Sequence, residues 1–406
     1  MSFDIKNNLH IKPVTPKYLV QYDDLMRYVF QVTKRQVEES GYEEGELARS
    51  KRPVLIDAEV LGWFNDEDKL ISTLSIYPCE VNIHGQIYKM GGLTGVGTYP
   101  EYAGLGLMTD LIKLALDKMR ENGQYISYLY PYSIPYYRAK GWEIMSDHIS
   151  FELKDTQLPH AVDVVGHIER CDVMHPDVIE IYNQFSSITH GTLIRRKMEW
   201  IEYWRWENEE ERIAAIYYDE NDEPRGYLFY WIANDIFHIK EMIYLTQDAY
   251  HGLWNFVRAH FSMIDLLRGN TFTNEPLAFL LDDGQIEEKI EPYYMARIVD
   301  VRKFLELYPY DDDIRPFHFV VTDPIAPWNN GVFGLQRGDT ADSVRIVSEP
   351  VGKPVELDIQ TMSTLMMSYK SPSYLHKIGR LKTDAATLRL IEKLIPTEQP
   401  YFSDYF

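Results

Sequence analysis

The residues best spaced for chemistry are Ala103-Gly104-Leu105-Gly106-Leu107-Met108, a glycine turn between an apolar run and an amphipathic one. Upstream, Leu93-Thr94-Gly95-Val96-Gly97 reads as a strand whose glycines leave backbone groups open, and Pro100, which has no N–H, stops its ladder. Downstream, Met108, Leu111, Ile112, Ala115 and Met119 recur at helical spacing, with Asp110, Lys113, Asp117 and Lys118 on the opposite face, so a helix begins at the turn. The first N–H groups of such a helix are unbonded and lie at the positive end of its dipole, which suits a pyrophosphate. A tight turn that binds nothing accounts for the same glycines. Other chemistries lack their residues. The twelve histidines form no His-x-x-x-His or His-x-His pair beside a carboxylate, so no metal is expected. There is also no Gly-x-Ser-x-Gly elbow, no Walker turn and no dinucleotide Gly-x-Gly-x-x-Gly fingerprint.

The elements around the turn must hold it in place. Asn122-Gly123 ends the helix, and residues 125–130 follow as a second strand. Before the turn, residues 54–64, 69–76, 79–83 and 86–94 alternate with turn signals at Asn65-Asp66 and His84-Gly85, which predicts antiparallel strands. Residues 19–39 are helical in pattern, and a strand over 149–153 gives way to a polar, Pro-containing link that closes the first domain. A second segment repeats the strands-then-helix order: a helix over 176–185, a hairpin over 214–232, a strand over 238–244 and a helix over 249–261, with no Gly-x-Gly at the last helix start. A different α+β domain fits the same pattern. A third segment, from about 290, has helices over 301–307, 359–368 and 385–394 and strands over 317–322, 331–336 and 344–347. The expected division is 1–155, 156–289 and 290–406.

The succession from Gly92 to Trp142, ending Pro135-Tyr-Tyr-Arg-Ala-Lys-Gly-Trp142, resembles the GNAT superfamily of acetyl-CoA-dependent N-acetyltransferases. Pro324-Ile-Ala-Pro-Trp-Asn-Asn-Gly-Val-Phe333, Val355-Glu-Leu-Asp-Ile359 and the closing Pro400-Tyr-Phe-Ser-Asp-Tyr-Phe406 are similar to its enhanced-intracellular-survival branch. The resemblance implies an α+β fold of two tandem GNAT-like domains, each a mixed sheet flanked by helices, the second without a catalytic motif. A C-terminal domain similar to a sterol carrier protein would follow. It implies acetyl-CoA as co-substrate, held by the backbone of Gly95, Val96 and Gly97 and by the turn Ala103, Gly104, Leu105, Gly106, Leu107 and Met108, with Ser133 as a further contact. Ala103 and Met108 stand where the family usually has Arg or Gln and a small residue, so backbone N–H groups are left to hold the phosphates. Tyr137 falls where the family has its general acid, and a phenol, with an ordinary pKa of ~10, stays protonated at neutral pH. The base would be the C-terminal carboxylate of Phe406, whose ordinary pKa of ~3.5 burial would raise. Asp24 and Asp404 are candidate contacts for a cationic amine, of aminoglycoside or polyamine type. The resemblance also implies a homohexamer, as a trimer of dimers or a dimer of trimers. The alternative is a non-catalytic protein that binds a small molecule or lipid on the same scaffold.

Composition narrows the classes. Forty-five per cent apolar residues over 406 supply ample core for two or three domains. The start has neither a basic nor an apolar leader region, and nowhere do ~18 apolar residues run together, so a cytoplasmic, membrane-free protein is expected. Cys79 and Cys171 are too few for a disulfide framework. A formal charge of −21 opposes nucleic-acid binding and favours attraction of cationic ligands. The densest basic cluster, Arg195-Arg196-Lys197, followed by Glu199 and by the acidic residues at 207–211, reads as a solvated helix face.

Overall fold

The computed structural model describes residues 6–39, 45–205, 212–272, 277–310, 315–338 and 344–406. Its contacts divide the chain into two units. The first runs to Met145, resumes over Tyr294–Glu398 and includes Phe406; the second holds Ser146–Tyr293 and Gln399–Tyr405. Among the described residues no helix is long and apolar enough to cross a membrane.

The first unit contains a seven-stranded sheet that begins with β1 (Leu9–Pro13), β2 (Glu59–Asn65), β3 (Leu70–Ile83), β4 (Gln86–Thr98) and β5 (Ile126–Leu129). Neighbours from β1 to β4 are antiparallel, whereas β4 and β5 are parallel. The strands Met295–Ile298 and Glu143–Ile144 complete the sheet beyond β5. β2 and β3 are buried almost throughout, because the helix Leu107–Glu121 covers one face and the helix Leu19–Val29 the other. The first of these helices buries Leu107, Leu111, Ile112, Ala115, Leu116 and Met119, the stripe expected from its spacing, at roughly 2 kcal/mol for each fully buried large side chain.

Three local expectations change. Residues 54–57 form a helical turn, Val54–Asp57, and the strand starts only at Glu59. The helical pattern over 19–39 breaks after Val29, where Gln31 takes φ of 56°, and resumes at Lys34–Glu39. The pieces 69–76 and 79–83 are one 14-residue strand, β3, running through Pro78. Proline is tolerated there because β2 pairing ends at Glu59↔Ile76, so beyond it, among the described residues, β3 has no strand on that side to lose a hydrogen bond.

The remainder of the first unit is a four-stranded sheet in the order Val344–Val347, Gly331–Arg337, Phe317–Thr322, Lys353–Asp358, the last pair parallel, with the helix Ile359–Met366 packed on it. Asp323 is the joint of this region with the first sheet. Its fully buried carboxylate accepts from Arg297 Nη2 at 2.6 Å, from Asn329 Nδ2 at 3.0 Å and from the N–H groups of Ile325 and Ala326 at 3.0 Å. Arg297 in turn donates to the Lys140 carbonyl and lies over the Trp142 ring at 5.3 Å.

The second unit has its own seven-stranded sheet, in the order Glu287–Pro292, Asp147–Lys154, Leu266–Thr271, Ile236–Tyr244, Pro224–Ala233, Ile213–Tyr218, His167–Cys171. Ile236–Tyr244 and Leu266–Thr271 are parallel and joined through the helix Gln247–Arg258, which repeats the β4–helix–β5 arrangement. The chain passes between the units at 145/146, 293/294, 398/399 and 405/406. Strand 147–154 pairs with the second sheet, and strand 295–298 pairs back into the first. Such long-range pairing leaves no mark on local periodicity.

Arg195 corrects the solvated-face reading of the basic cluster. Its guanidinium is fully buried, donating to Glu241 at 2.7 Å and to Asp404 at 2.8 Å, with the rings of Tyr182 and Tyr203 at 3.9 and 4.0 Å. Only Arg196 and Lys197 face solvent, and the acidic run at 207–211 lies outside the described residues. A buried cation is tolerable only with such partners.

Candidate functional site

β4 is where the first sheet opens. It pairs with β5 only over Met90↔Ile126, Gly91↔Ser127 and Gly92↔Tyr128, whereas on its other side it pairs with β3 as far as Ser72↔Thr98. From Leu93 to Thr98, the edge of β4 towards β5 therefore has no strand beside it among the described residues. The ladder to β3 also slips between Thr73↔Gly97 and Ser75↔Thr94, so Gly95 and Val96 bulge opposite Leu74. Gly95 takes φ of +58°, and a Cβ there would lie 2.7 Å from Tyr22 Oη and 3.0 Å from Ser75 Oγ, two hydroxyls bonded to each other at 3.0 Å. Glycine is required both by conformation and by space. We expect Gly95→Ala to cost about 1–2 kcal/mol, read as a lower urea midpoint. An unchanged midpoint would show that the bulge tolerates a side chain.

The turn after β4 leads into the helix N-terminus. Gly104 and Gly106 have φ of +78° and +75°, and Gly106 is the N-cap, with no side chain capping the helix. Among the described residues a Cβ at Gly104 would meet nothing within 4 Å, and one at Gly106 only Lys6 Nζ at 3.9 Å. Ala103 is exposed, Leu107 buried, and Leu105, Met108 and Val96 are half-buried against the core under the helix. The result is an open backbone cradle with uncapped N–H groups, which fits an acyl-CoA diphosphate. The equivalent helix of the second unit is closed instead, because Thr246 caps it with its own hydroxyl, accepting from Ala249 N–H at 3.2 Å.

Tyr137 lies on the short helix Ile134–Arg138, which starts at Ser133, and its ring joins the same core cluster as Leu107, Leu111 and Leu129. Trp142 meets it edge-on at 6.3 Å and Tyr136 at 5.2 Å. Burial, with a smaller contribution from Tyr136, pushes the Tyr137 phenol above its ordinary value. Gly141 follows from packing: at φ of +97° its Cβ position would collide with Arg297, so the Tyr-x-x-x-Gly spacing seats a buried arginine behind the loop. Lys140 Nζ donates to Thr109 Oγ1 at 2.8 Å, tying this loop to the first turn of the helix Leu107–Glu121. Ser133 is half-buried and offers no side-chain cap, so its hydroxyl plays no part in holding the loop.

Phe406 reaches the same place from the other face. A Cβ on Gly92 would be 2.8 Å from Phe406 Cε2, so the terminal ring rests on the strand where β4 and β5 part. Tyr77 and Tyr294 flank it at ring distances of 6.0 and 5.4 Å, and its N–H donates to Tyr294 Oη at 3.0 Å. Gly91, one residue back, faces Met119 of the helix. Tyr137 and Phe406 thus sit on opposite faces of the sheet at its opening. Tyr77 and Tyr294 escaped the sequence reading, since one tyrosine among 30 carries no signal without its neighbours.

The two acidic candidates part company. Asp24 is exposed on the helix Leu19–Val29, beside Asp23, which is buried against Lys51 at 2.8 Å. Asp404 is not available to a substrate as placed: it is buried in the second unit, with its carboxylate accepting from Arg195 at 2.8 Å and from Tyr182 at 3.3 Å. Burial raises its carboxyl to about 6, against the opposing pull of Arg195. Among the described residues no group of three or more His, Cys, Asp or Glu side chains could hold a metal.

Residues 10–145 match a family model described as an acetyltransferase (GNAT) domain, residues 191–298 match a second model of the same description, and residues 301–403 match one described as a sterol carrier protein domain. A conserved protein of Enterococcus faecalis V583, described as a probable N-acyltransferase, is 26% identical over 98% of this chain and 99% of its own, with a TM-score of 0.87. A GCN5-related N-acetyltransferase of Anabaena variabilis is 25% identical over 98% and 100% of the two chains, with a TM-score of 0.83. Eis1 of Mycobacterium abscessus shares the fold at 16% identity, over 98% and 100%, with a TM-score of 0.78. None of the curated proteins matches the chain.

Proposed function

Since this chain belongs to the GNAT superfamily of acetyltransferases, with two GNAT domains and a sterol-carrier-like domain in the order of the enhanced-intracellular-survival proteins, we propose that it transfers acetyl from acetyl-CoA to an amine of a polycationic substrate. The observation that carries this reading is the opening of the sheet at Gly92, with Phe406 seated on it and an uncapped glycine turn beyond. The open edge of β4 would pair with the pantetheine amides, and N–H groups at Gly95, Val96 and Gly97 would stabilise the tetrahedral oxyanion. The amine nitrogen attacks the thioester carbon directly, its proton passing to the Phe406 carboxylate. As the C–S bond breaks, the departing thiolate takes the Tyr137 proton.

The acceptor class rests on charge. A formal charge of −21 attracts polycations at long range, and Asp24 lies exposed on the helix that covers the β3–β4 face. Aminoglycosides and polyamines are the candidate amines, and a homohexamer is the assembly to look for by light scattering. The test is acetyl-CoA-dependent thiol release with a panel of both amine classes. Turnover with a polyamine or aminoglycoside supports the reading. Coenzyme A binding with no turnover on any amine would leave a binding protein on this scaffold and sink it.

A further inference from the structure

A diphosphate needs positive charge, yet residues 99–108, Tyr-Pro-Glu-Tyr-Ala-Gly-Leu-Gly-Leu-Met, contain no basic side chain and one acidic one, Glu101. The first turn of the helix that follows adds another carboxylate, Asp110. Backbone N–H groups alone would thus face a dianion with two carboxylates nearby.

The fold brings two lysines from far along the chain to this turn. Lys6 Nζ lies 2.5 Å from Asp110 Oδ2 and 3.9 Å from the Cβ position of Gly106, the uncapped N-cap. It lies 5.7 Å from the centroid of the Trp63 ring, and Trp63 itself donates from Nε1 to the Leu107 carbonyl at 3.0 Å. The indole is thereby locked to the helix start, and the ammonium rests over it. Lys140 Nζ bonds Thr109 Oγ1 at 2.8 Å and lies 5.7 Å from the Tyr136 ring centroid. Both lysines are half-exposed. Asp110 is neutralised by the first of them, and a second cation stands one residue before it on the same turn.

We propose that Lys6 and Lys140 supply the positive charge for the diphosphate of the acyl donor, in place of a basic residue in the turn itself. This rests on the acetyltransferase reading of the site. Lys140 then has two duties, because it sits within the Tyr137–Gly141 loop and already ties that loop to the helix start through Thr109.

The experiment is isothermal titration of the full chain with coenzyme A, dephospho-coenzyme A and pantetheine, across a range of salt. Lys6→Gln and Lys140→Gln should each weaken coenzyme A about fivefold and together about 25-fold, with a shallower salt dependence. Dephospho-coenzyme A, which keeps the diphosphate, should lose as much, and pantetheine nothing. Ala103→Arg, an exposed position with extended backbone, should restore most of the affinity to the double variant, which separates lost charge from damaged folding. Wild-type affinity in the double variant would overturn the proposal, as would equal losses for pantetheine or a loss confined to the 3′-phosphorylated ligand. A wild-type chain that binds no coenzyme A would fail the acetyltransferase reading itself, a separate result.

Discussion

Converting the terminal carboxylate of Phe406 to an amide should lower kcat by roughly 10²–10⁴-fold, the usual contribution of a positioned base, with little change in acyl-donor affinity. The ring stays in this semisynthetic variant, so Tyr77, Tyr294 and Gly92 keep their packing and the Phe406 N–H keeps its bond to Tyr294 Oη. Removing Phe406 altogether should cost at least as much, because a new terminus at Tyr405 loses the aromatic seat as well as the carboxylate position. Phe406→Ala separates the two: the carboxylate remains, the packing is lost, and an intermediate rate is expected. Single-turnover rates at saturating acetyl-CoA make the comparison. An amidated protein with full kcat would remove the carboxylate from the mechanism and leave the tail a structural plug.

Tyr137→Phe should lower kcat by about 10²–10³-fold while leaving KM for the donor within a few fold, because the lost hydroxyl acts on the leaving thiolate and not on the bound thioester. The ring's contacts with Trp142 and the core survive the substitution, so the melting temperature should hold. The pH profile gives an independent check. Burial raises the phenol above its ordinary value, so the acid form prevails throughout pH 6–10 and Tyr137 contributes no alkaline decline there. The alkaline limbs of wild type and variant should therefore coincide. A wild-type limb near pH 8–9 that vanishes in Tyr137→Phe would contradict a burial-protected acid.

Much of this site is readable along the chain because its parts are short and local. The glycine turn and the apolar stripe from Leu107 to Met119 obey one helical period, and the Tyr137–Gly141 spacing lies within five residues. The second unit's missing cradle is legible too, since the segment before the helix Gln247–Arg258 contains Thr246 and no glycine pair. Boundaries fared worse. Val54–Asp57 carries strand-like residues yet coils for one turn, and Pro78 marks no break because the neighbouring strand has already ended.

The amino-acid sequence by itself determined the glycine turn that could admit a phosphate, the apolar stripe of the helix that follows it, and which residues could carry protons, because each depends on neighbours within a few residues. Tertiary structure alone decided that β4 and β5 part at Gly92, that Phe406 settles there, and that the strands at 147–154 and 295–298 enter different sheets. It also decided which charges are buried: Arg195 leaves a run that looks solvated to pair with Glu241 and Asp404, while Lys6 and Lys140 meet on one helical turn. Pairing register and burial are set by residues far apart along the chain, from Lys140 and Thr109, 31 positions apart, to Arg195 and Asp404, 209 apart, and no local pattern records them.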